Sequence, residues 1–544
     1  MIDWWGLFHN SLWVVGLAVG LAALSMASYQ AHRGQVPLRQ KLNEWSFRLP
    51  FNAGMVLFSL GLLCSGQSWW EQTLWGVLGA VFAIQAAWSA WRRVNGQTGQ
   101  ASNRAAVQQR EPSLLRVAAL KLASIEVWPV AAFVAASLVS ARLLPWALGM
   151  AAAFWLVRWL AYDHLSVRTP ADWGILLLLL MIPVTLWATA LPDITHPEVY
   201  RLLGGVALYY AIVNWVTTSA RLKPLVIGAM LTGLFLAIYA LISVRRTSGK
   251  LSFIPSSLYN YLPSLVSDTV HRNVMAGSLA VLLPLPLAPL LLGWRQLNWP
   301  SRALAGLVAL VMTGILILTQ SRGALLALVA VLCVLALLRW RRGWLLLLAL
   351  AVVGAAILPW LGVTTILDTL MTSATLGSLE GRLEVWSRAL YMIQDFPFTG
   401  VGMGSFGQVA DVLYPFFLAS PGQIPHAHNL FLQVAVDLGI PGFVAWLSTL
   451  MLVIVTAWRV YRRGRATGDG WAMGLGAGFL CSQVALAVHG LTDAATWGEI
   501  RTAPIVWALW GLTMAAGQAS SLLQQADDSP DHCNSDAVQP ASQP

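Results

Sequence analysis

Charge is scarce in this sequence. Asp, Glu, Lys and Arg make up 10% of its 544 residues, whereas a soluble domain carries about 25%, so a chain solvated mainly by water is excluded. Cysteine is equally sparse. Cys64, Cys333, Cys481 and Cys533 lie scattered, three in apolar runs and one in the tail, without the spacing of a metal site or a disulfide framework. The phosphate-loop pattern G-x-x-x-x-G-K-[ST] is missing, which removes one common cytosolic nucleotide site. No pair of Gly- or Pro-broken spans aligns between the two halves, as it does in many transporters.

What is abundant is apolar length. Hydrophobic residues make up 57% of the chain, with a mean hydropathy of +0.66. Runs near the roughly 20 residues that cross a hydrocarbon core recur at 11–29, 174–191, 225–243, 273–292 and 344–361. Each span must satisfy its own backbone hydrogen bonds, so the expected fold is an all-α integral membrane protein. The reading is a polytopic helical bundle of about 12–15 spans with a large, partly helical extracytoplasmic loop. The run at 11–29 follows an amino terminus with no basic residue and has no cleavage-type ending, so it reads as a span and not a removed leader.

A net charge of +10 would suggest nucleic acid in a soluble protein; here it describes topology, and no nucleic-acid partner is expected. The segments 32–48, 92–121, 158–168, 221–223, 295–302, 339–342 and 459–465, all on one side if spans alternate, hold 23 of the 33 lysines and arginines. The positive-inside rule makes that side cytoplasmic. The amino terminus then lies outside, and the polar, disordered tail 519–544 lies inside. Two long segments, 244–272 and about 362–427, fall outside, which is where chemistry has room.

The polar residues at the outer span ends follow. Ser321-Arg322-Gly323 interrupts two apolar runs; Arg322 fits either a snorkelling arginine or an anion site. In 379–394, Leu379, Leu383, Trp386, Leu390 and Ile393 form one stripe of an amphipathic helix. Arg382 sits at the margin of that stripe, free to pair with Glu380 or Glu384, and Arg388 sits opposite, facing water. Pro397 ends the helix, and Gly400, Gly402 and Gly404 make a tight turn.

Pro425-His426-Ala427-His428-Asn429 opens an apolar helix. A histidine there is held neutral by the helix dipole and suits proton acceptance. His426 and His428 also resemble a metal-binding His-x-His pair. As a helical segment their side chains diverge, and no third His or Cys of matching type lies nearby, so no metal is expected. His271-Arg272-Asn273 and His489-Gly490-Leu491-Thr492-Asp493 occupy two further outer ends.

Taken in order, Ser321-Arg322-Gly323, Arg382-x-x-x-Trp386, Pro397-x-x-Gly400-x-Gly402, His428-Asn429 with Leu432-Gln433, and Gly439-Ile440-Pro441-Gly442 resemble the O-antigen ligase and polymerase family over about 303–460. The resemblance implies a metal-independent, inverting glycosyltransferase without cofactor, embedded in the bacterial cytoplasmic membrane with its site on the outer side. Its donor would be a glycan on undecaprenyl pyrophosphate and its acceptor a hydroxyl of a lipid, a glycan or a protein. Arg322 and Arg382 would hold the pyrophosphate, and His428 would be the general base, with His426 as the competing assignment. Ser321, Trp386, His426, Asn429, Arg272 and Asn273 are the expected substrate contacts. No Asp-x-Asp metal pair occurs in the outer loops, and guanidinium, which binds phosphate bidentately and stays charged, can take its place.

The implied division is 1–243 amino-terminal spans, 244–302 outer loop and following span, 303–460 ligase-like domain, 461–518 last spans and 519–544 tail. Ligase and polymerase are not separated by these residues. A carrier of a small anion such as bicarbonate is the alternative from another class, and it would need polar groups at mid-membrane, where the sequence shows almost none. A non-catalytic envelope scaffold is a third, in which Arg322 and His428 would be dispensable.

Overall fold

The computed structural model describes residues 2–65, 68–94, 114–139, 143–243, 271–340, 342–345, 348–349, 352, 379–494, 496–497 and 503–527. Most of the expected outer loop at 244–272, most of the run 344–361, the start of the 362–427 loop and the tail past 527 lie outside the described residues. Among those described, the secondary structure is helical, with no strand. The amino-terminal helices are α1 (Trp4–Arg33), α2 (Leu38–Leu42), α3 (Trp45–Ser65), α4 (Trp69–Val94), α5 (Leu114–Ala123), α6 (Val127–Val139), α7 (Leu144–Tyr162), α8 (Asp172–Ala188), α9 (Pro192–Trp215) and α10 (Ser219–Ser243). The second half holds α11 (Arg272–Leu282), α12 (Pro284–Leu292), α13 (Trp299–Leu318), α14 (Arg322–Arg339), α15 (Leu379–Asp395), α16 (Phe406–Leu413), α17 (Leu430–Thr467), α18 (Gly470–Gly490) and α19 (Ala503–Asp527).

The chain is a multi-pass membrane protein. Eight segments among the described residues are long and apolar enough to span: α1, α3, α10, the continuous α11–α12, α13, α14, α17 and α18; α5 and α6, bent by 51°, are a ninth candidate. The count falls below the expected one because some apolar runs fold as shorter helices, such as the 17-residue α8, and others lie outside the described residues. Large apolar side chains cover the outside: Trp187 is 82% exposed, Trp299 77% and Leu310 73%. Such a surface is stable against acyl chains and not against water.

The centre of the bundle is α17, packed against α18, α8, α1 and α19, while α9 packs on α19 and α14 and α12 pack on α18. Trp446, Trp507, Trp510 and Tyr209 fill the middle, with Trp507 and Trp510 ring centroids 5.0 Å apart. A few ionisable groups are buried in the bundle. Arg158 of α7 and Glu126, each 2% exposed, pair at 2.7 Å, and Asp437 is buried inside α17. Pairing and hydrogen bonding make such burial tolerable.

Helix α17 is broken at Gly439, whose φ of 66° and ψ of −178° are not helical. The Pro397–Val401 turn docks into the break: Ile440 N–H donates to Pro397 O at 2.7 Å, and Val401 N–H donates to Val436 O at 2.8 Å. The two glycine motifs singled out in the sequence therefore meet. A Cβ on Gly439 would lie 2.7 Å from the Phe398 carbonyl carbon and 2.9 Å from Pro397 O, both backbone atoms. Gly439→Ala should cost at least about 2 kcal/mol from the left-handed conformation and the clash together. An unchanged thermal unfolding midpoint of the purified variant would contradict this.

Chain direction sorts the polar ends. Helix α13 enters beside Arg302 and α14 exits at Arg339, so the corner at 319–322 lies at the other end of the bundle. That end also holds the start of α11, the start of α17 and the end of α18.

Candidate active site

Five segments converge at this end. At the α13–α14 corner, Gln320 adopts a φ of 52° and Ser321, buried, occupies the N-cap of α14. Gly323 allows the corner to sit on the 489–493 segment, since a Cβ there would come 2.0 Å from Thr492 Oγ1. Arg322 is exposed at the head of α14. Helix α15 carries the half-buried Arg382, where burial first and the Arg322 charge next hold its pKa below the usual arginine value, with Asp493 opposing. The Arg322 guanidinium also repels Arg272 at the head of α11. Three guanidinium groups thus share one field.

Beside them lie two imidazoles and a carboxylate. The 426–428 segment is not helical, and His428 has a φ of 47°. Asn429 explains the abrupt start of α17: its Oδ1 accepts from Phe431 N–H at 3.0 Å and Leu432 N–H at 3.1 Å. The left-handed turn brings the His426 and His428 rings to 4.2 Å between centroids. Asp493 faces both, Oδ1 lying 3.8 Å from His426 Nε2 and Oδ2 3.9 Å from His428 Nδ1. Asn273 Nδ2 donates to Asp493 Oδ2 at 2.7 Å.

Hydrogen-bond accounting separates the histidines. His426 Nδ1 accepts the His428 backbone N–H at 3.2 Å, so a neutral His426 carries its proton on Nε2, toward Asp493. Both of its nitrogens are committed. His428 presents Nδ1 to Asp493 and keeps Nε2 for a proton acceptor's role. Burial, then His426, Arg382 and His271, push the His428 pKa well below the usual imidazole value, against the pull of Asp493. Burial also lowers that of His426. For Asp493, burial raises the carboxyl and the surrounding imidazoles and Asn273 bring it below its usual value.

A further set of bonds holds the histidine turn. Gln433 Oε1 accepts Ala427 N–H at 2.7 Å, and Gln433 Nε2 donates to Asp437 Oδ1 at 2.9 Å. Trp497 Nε1 donates to Asp437 Oδ2 at 2.9 Å. The glycine turn is held by the first half of the chain: Met403 N–H donates to Thr185 Oγ1 at 3.2 Å, and a Cβ on Gly402 would strike Thr189. Helices α8 and α9 therefore support the site, which the sequence had placed in the second half alone.

Several expectations are corrected. Arg388 does not face water: its side chain is 15% exposed, 3.7 Å from Glu384 and stacked over Phe417, because the 414–418 loop folds across it. Glu384 is thereby taken from Arg382, and it also accepts Leu418 N–H at 3.1 Å. Asn429 caps α17 and Asn273 donates to Asp493. Trp386 lies on α15 with its indole N–H buried and without a partner among the described residues. The histidines converge instead of diverging, and Asp493, to which the sequence reading gave no role, is the third group. Its one sequence signal was an acid next to a histidine at a span end.

His426, His428 and Asp493 place donor atoms within 4.8 Å of one another, a spacing open to a divalent ion. Arg272, Arg322 and Arg382 argue against it, since their charges repel a dication and attract an anion.

Residues 307–447 match the family model described as O-antigen ligase. The chain carries an O-antigen ligase domain. The match takes in Arg322, Arg382, His426, His428 and Asn429, and stops short of Asp493. An O-antigen ligase domain makes the chain, in broad terms, a glycan-transferring membrane enzyme acting on lipid-linked glycan and acceptor. No curated protein matches the chain.

Proposed function

We propose that the chain transfers a glycan from a polyprenyl-pyrophosphate carrier, undecaprenyl pyrophosphate in a bacterial membrane, to an acceptor hydroxyl on the outer side of the cytoplasmic membrane. The observation that carries this is the juxtaposition of an imidazole kept neutral, His428, with three guanidinium groups at one end of the bundle. The acceptor oxygen attacks the anomeric carbon as its proton passes to His428 Nε2, and the glycosidic C–O bond to pyrophosphate breaks. The leaving pyrophosphate takes the bonding pair, and Arg322 and Arg382 bind its charge in bidentate fashion. A single displacement inverts the anomeric centre. Asp493 orients His428 and stabilises the imidazolium that forms, while the carrier's tail lies among the spans.

The test is transfer from a lipid-linked donor in membranes containing the wild-type chain, with and without a chelator. Transfer with inverted configuration and an unchanged rate after chelation is expected; loss of transfer on chelation would instead assign His426, His428 and Asp493 to a metal. Solute flux in proteoliposomes lacking any lipid-linked donor, with no transfer when donor is added, would favour an anion carrier.

The pH profile follows from the same groups. His428 is competent when neutral, and its folded pKa is depressed, so the rate should stay flat as pH falls through about 6.5 and drop only below that. Stability behaves oppositely. Below pH 6.5 the unfolded chain binds protons that the folded His426 and His428 refuse, so stability falls with pH by up to about 1.4 kcal/mol per unit per histidine. A rate inflection at the ordinary imidazole value would contradict the assignment.

A further inference from the structure

We propose that the opposite end of the bundle carries a second anion site, a cavity that takes a phosphate group, either of an anionic lipid headgroup or of a soluble phosphate. Between the end of α1, α2 and the distal parts of α17 and α19 lies a cavity of about 360 Å³, within the roughly 300–1,000 Å³ of small-molecule sites. Arg33, Lys41, Arg459 and Arg463 line it together with Tyr29 and Gln518, and no Asp or Glu is among its described lining residues. Counting 29 residues from Leu430 to Arg459 along α17 puts it roughly 40 Å from the histidine turn. It is therefore separate from the candidate active site.

Contacts of three of the cations are seen among the described residues. Lys41 pairs with Glu44 at 2.7 Å. Arg33 Nη1 donates to the Tyr29 hydroxyl at 3.3 Å. Arg459 Nη1 lies 3.1 Å from Met26 Sδ, and a thioether is a weak acceptor. Four positive charges facing one volume repel one another, and a phosphate removes that repulsion while offering guanidinium its preferred bidentate partner. The cavity is also built: Gly517 lets α19 approach α17, since a Cβ there would come 2.6 Å from Thr456 Cγ2. Loop charge assigns this end to the cytoplasm, where basic pockets between spans meet anionic headgroups.

The experiment uses the purified full chain in nanodiscs of phosphatidylcholine, alone, with added phosphatidylglycerol, or with added inorganic phosphate, and reads the thermal unfolding midpoint and bound lipid by native mass spectrometry. A rise in midpoint with phosphatidylglycerol, and one retained phosphatidylglycerol, identifies a headgroup; a rise with inorganic phosphate alone identifies a soluble ligand. In the double variant R459Q/R463Q affinity should fall by about tenfold or more, with the midpoint in pure phosphatidylcholine unchanged. Lys41→Gln, on the short helix α2, provides a second variant that leaves the spans intact and should weaken binding less. Neither probe raising the midpoint, or a rise that persists in both variants, overturns the proposal.

Discussion

Replacing His428 with alanine should lower glycan transfer by about 10²–10⁴-fold, the contribution of a positioned general base, while leaving insertion and thermal stability near those of the wild type. The expectation rests on tautomer accounting. His426 Nδ1 already accepts a backbone N–H, so His428 Nε2 is the acceptor that remains. His426→Ala should therefore cost less, about tenfold, through loss of the turn that seats its neighbour. Equal losses at the two positions would transfer the base role to His426 or to the pair; undiminished transfer by His428→Ala would end the mechanism and leave the scaffold reading.

The second large effect is expected at the arginines. Arg322→Ala and Arg382→Ala each remove a charge-assisted partner worth about 1.5–3 kcal/mol, so donor-dependent transfer should drop by roughly 10–150-fold for each. Lysine at either position restores charge without the planar fork and should recover only part of the rate. Because the Arg322 charge already acts on Arg382, the double variant should not be additive. The measurement is initial rate against donor concentration, run with two acceptors. Growth in chain length marks a polymerase, and one-step capping marks a ligase. Wild-type rates in both alanine variants would remove the anion site.

Much of the fold was legible because the bilayer constrains it so strongly. With 10% charged residues, long apolar runs can only be helices, and the helices at 4–33, 172–188, 219–243 and 272–292 stand where those runs lie. The amphipathic helix at 379–395 was equally readable, from a stripe at helical spacing. Of the candidate site, Arg322 and His428 stood out because each lies at the end of an apolar run, and Arg382 because it lies at the margin of an amphipathic stripe. Asp493, Gln433's tie to Ala427 and the support from Thr185 and Thr189 were not. Asp493 lies 65 positions beyond His428 in the chain and Thr185 lies 218 before Met403, and no local pattern reports such pairings.

The fate of the two histidines shows the limit most clearly. By itself, the sequence determined that this is a polytopic helical membrane protein, that Arg322 and His428 stand at the ends of apolar runs, and that Arg382 lies on an amphipathic helix between them. Those properties are set by composition and by order along the chain, which hydrocarbon and water sort without reference to packing. Only the tertiary structure decided that His426 and His428 converge on one carboxylate. That outcome depends on a left-handed residue at 428, an asparagine cap at 429 and the arrival of Asp493 from the end of α18. Side-chain convergence is a property of packed surfaces, and it appears once distant segments share the same space.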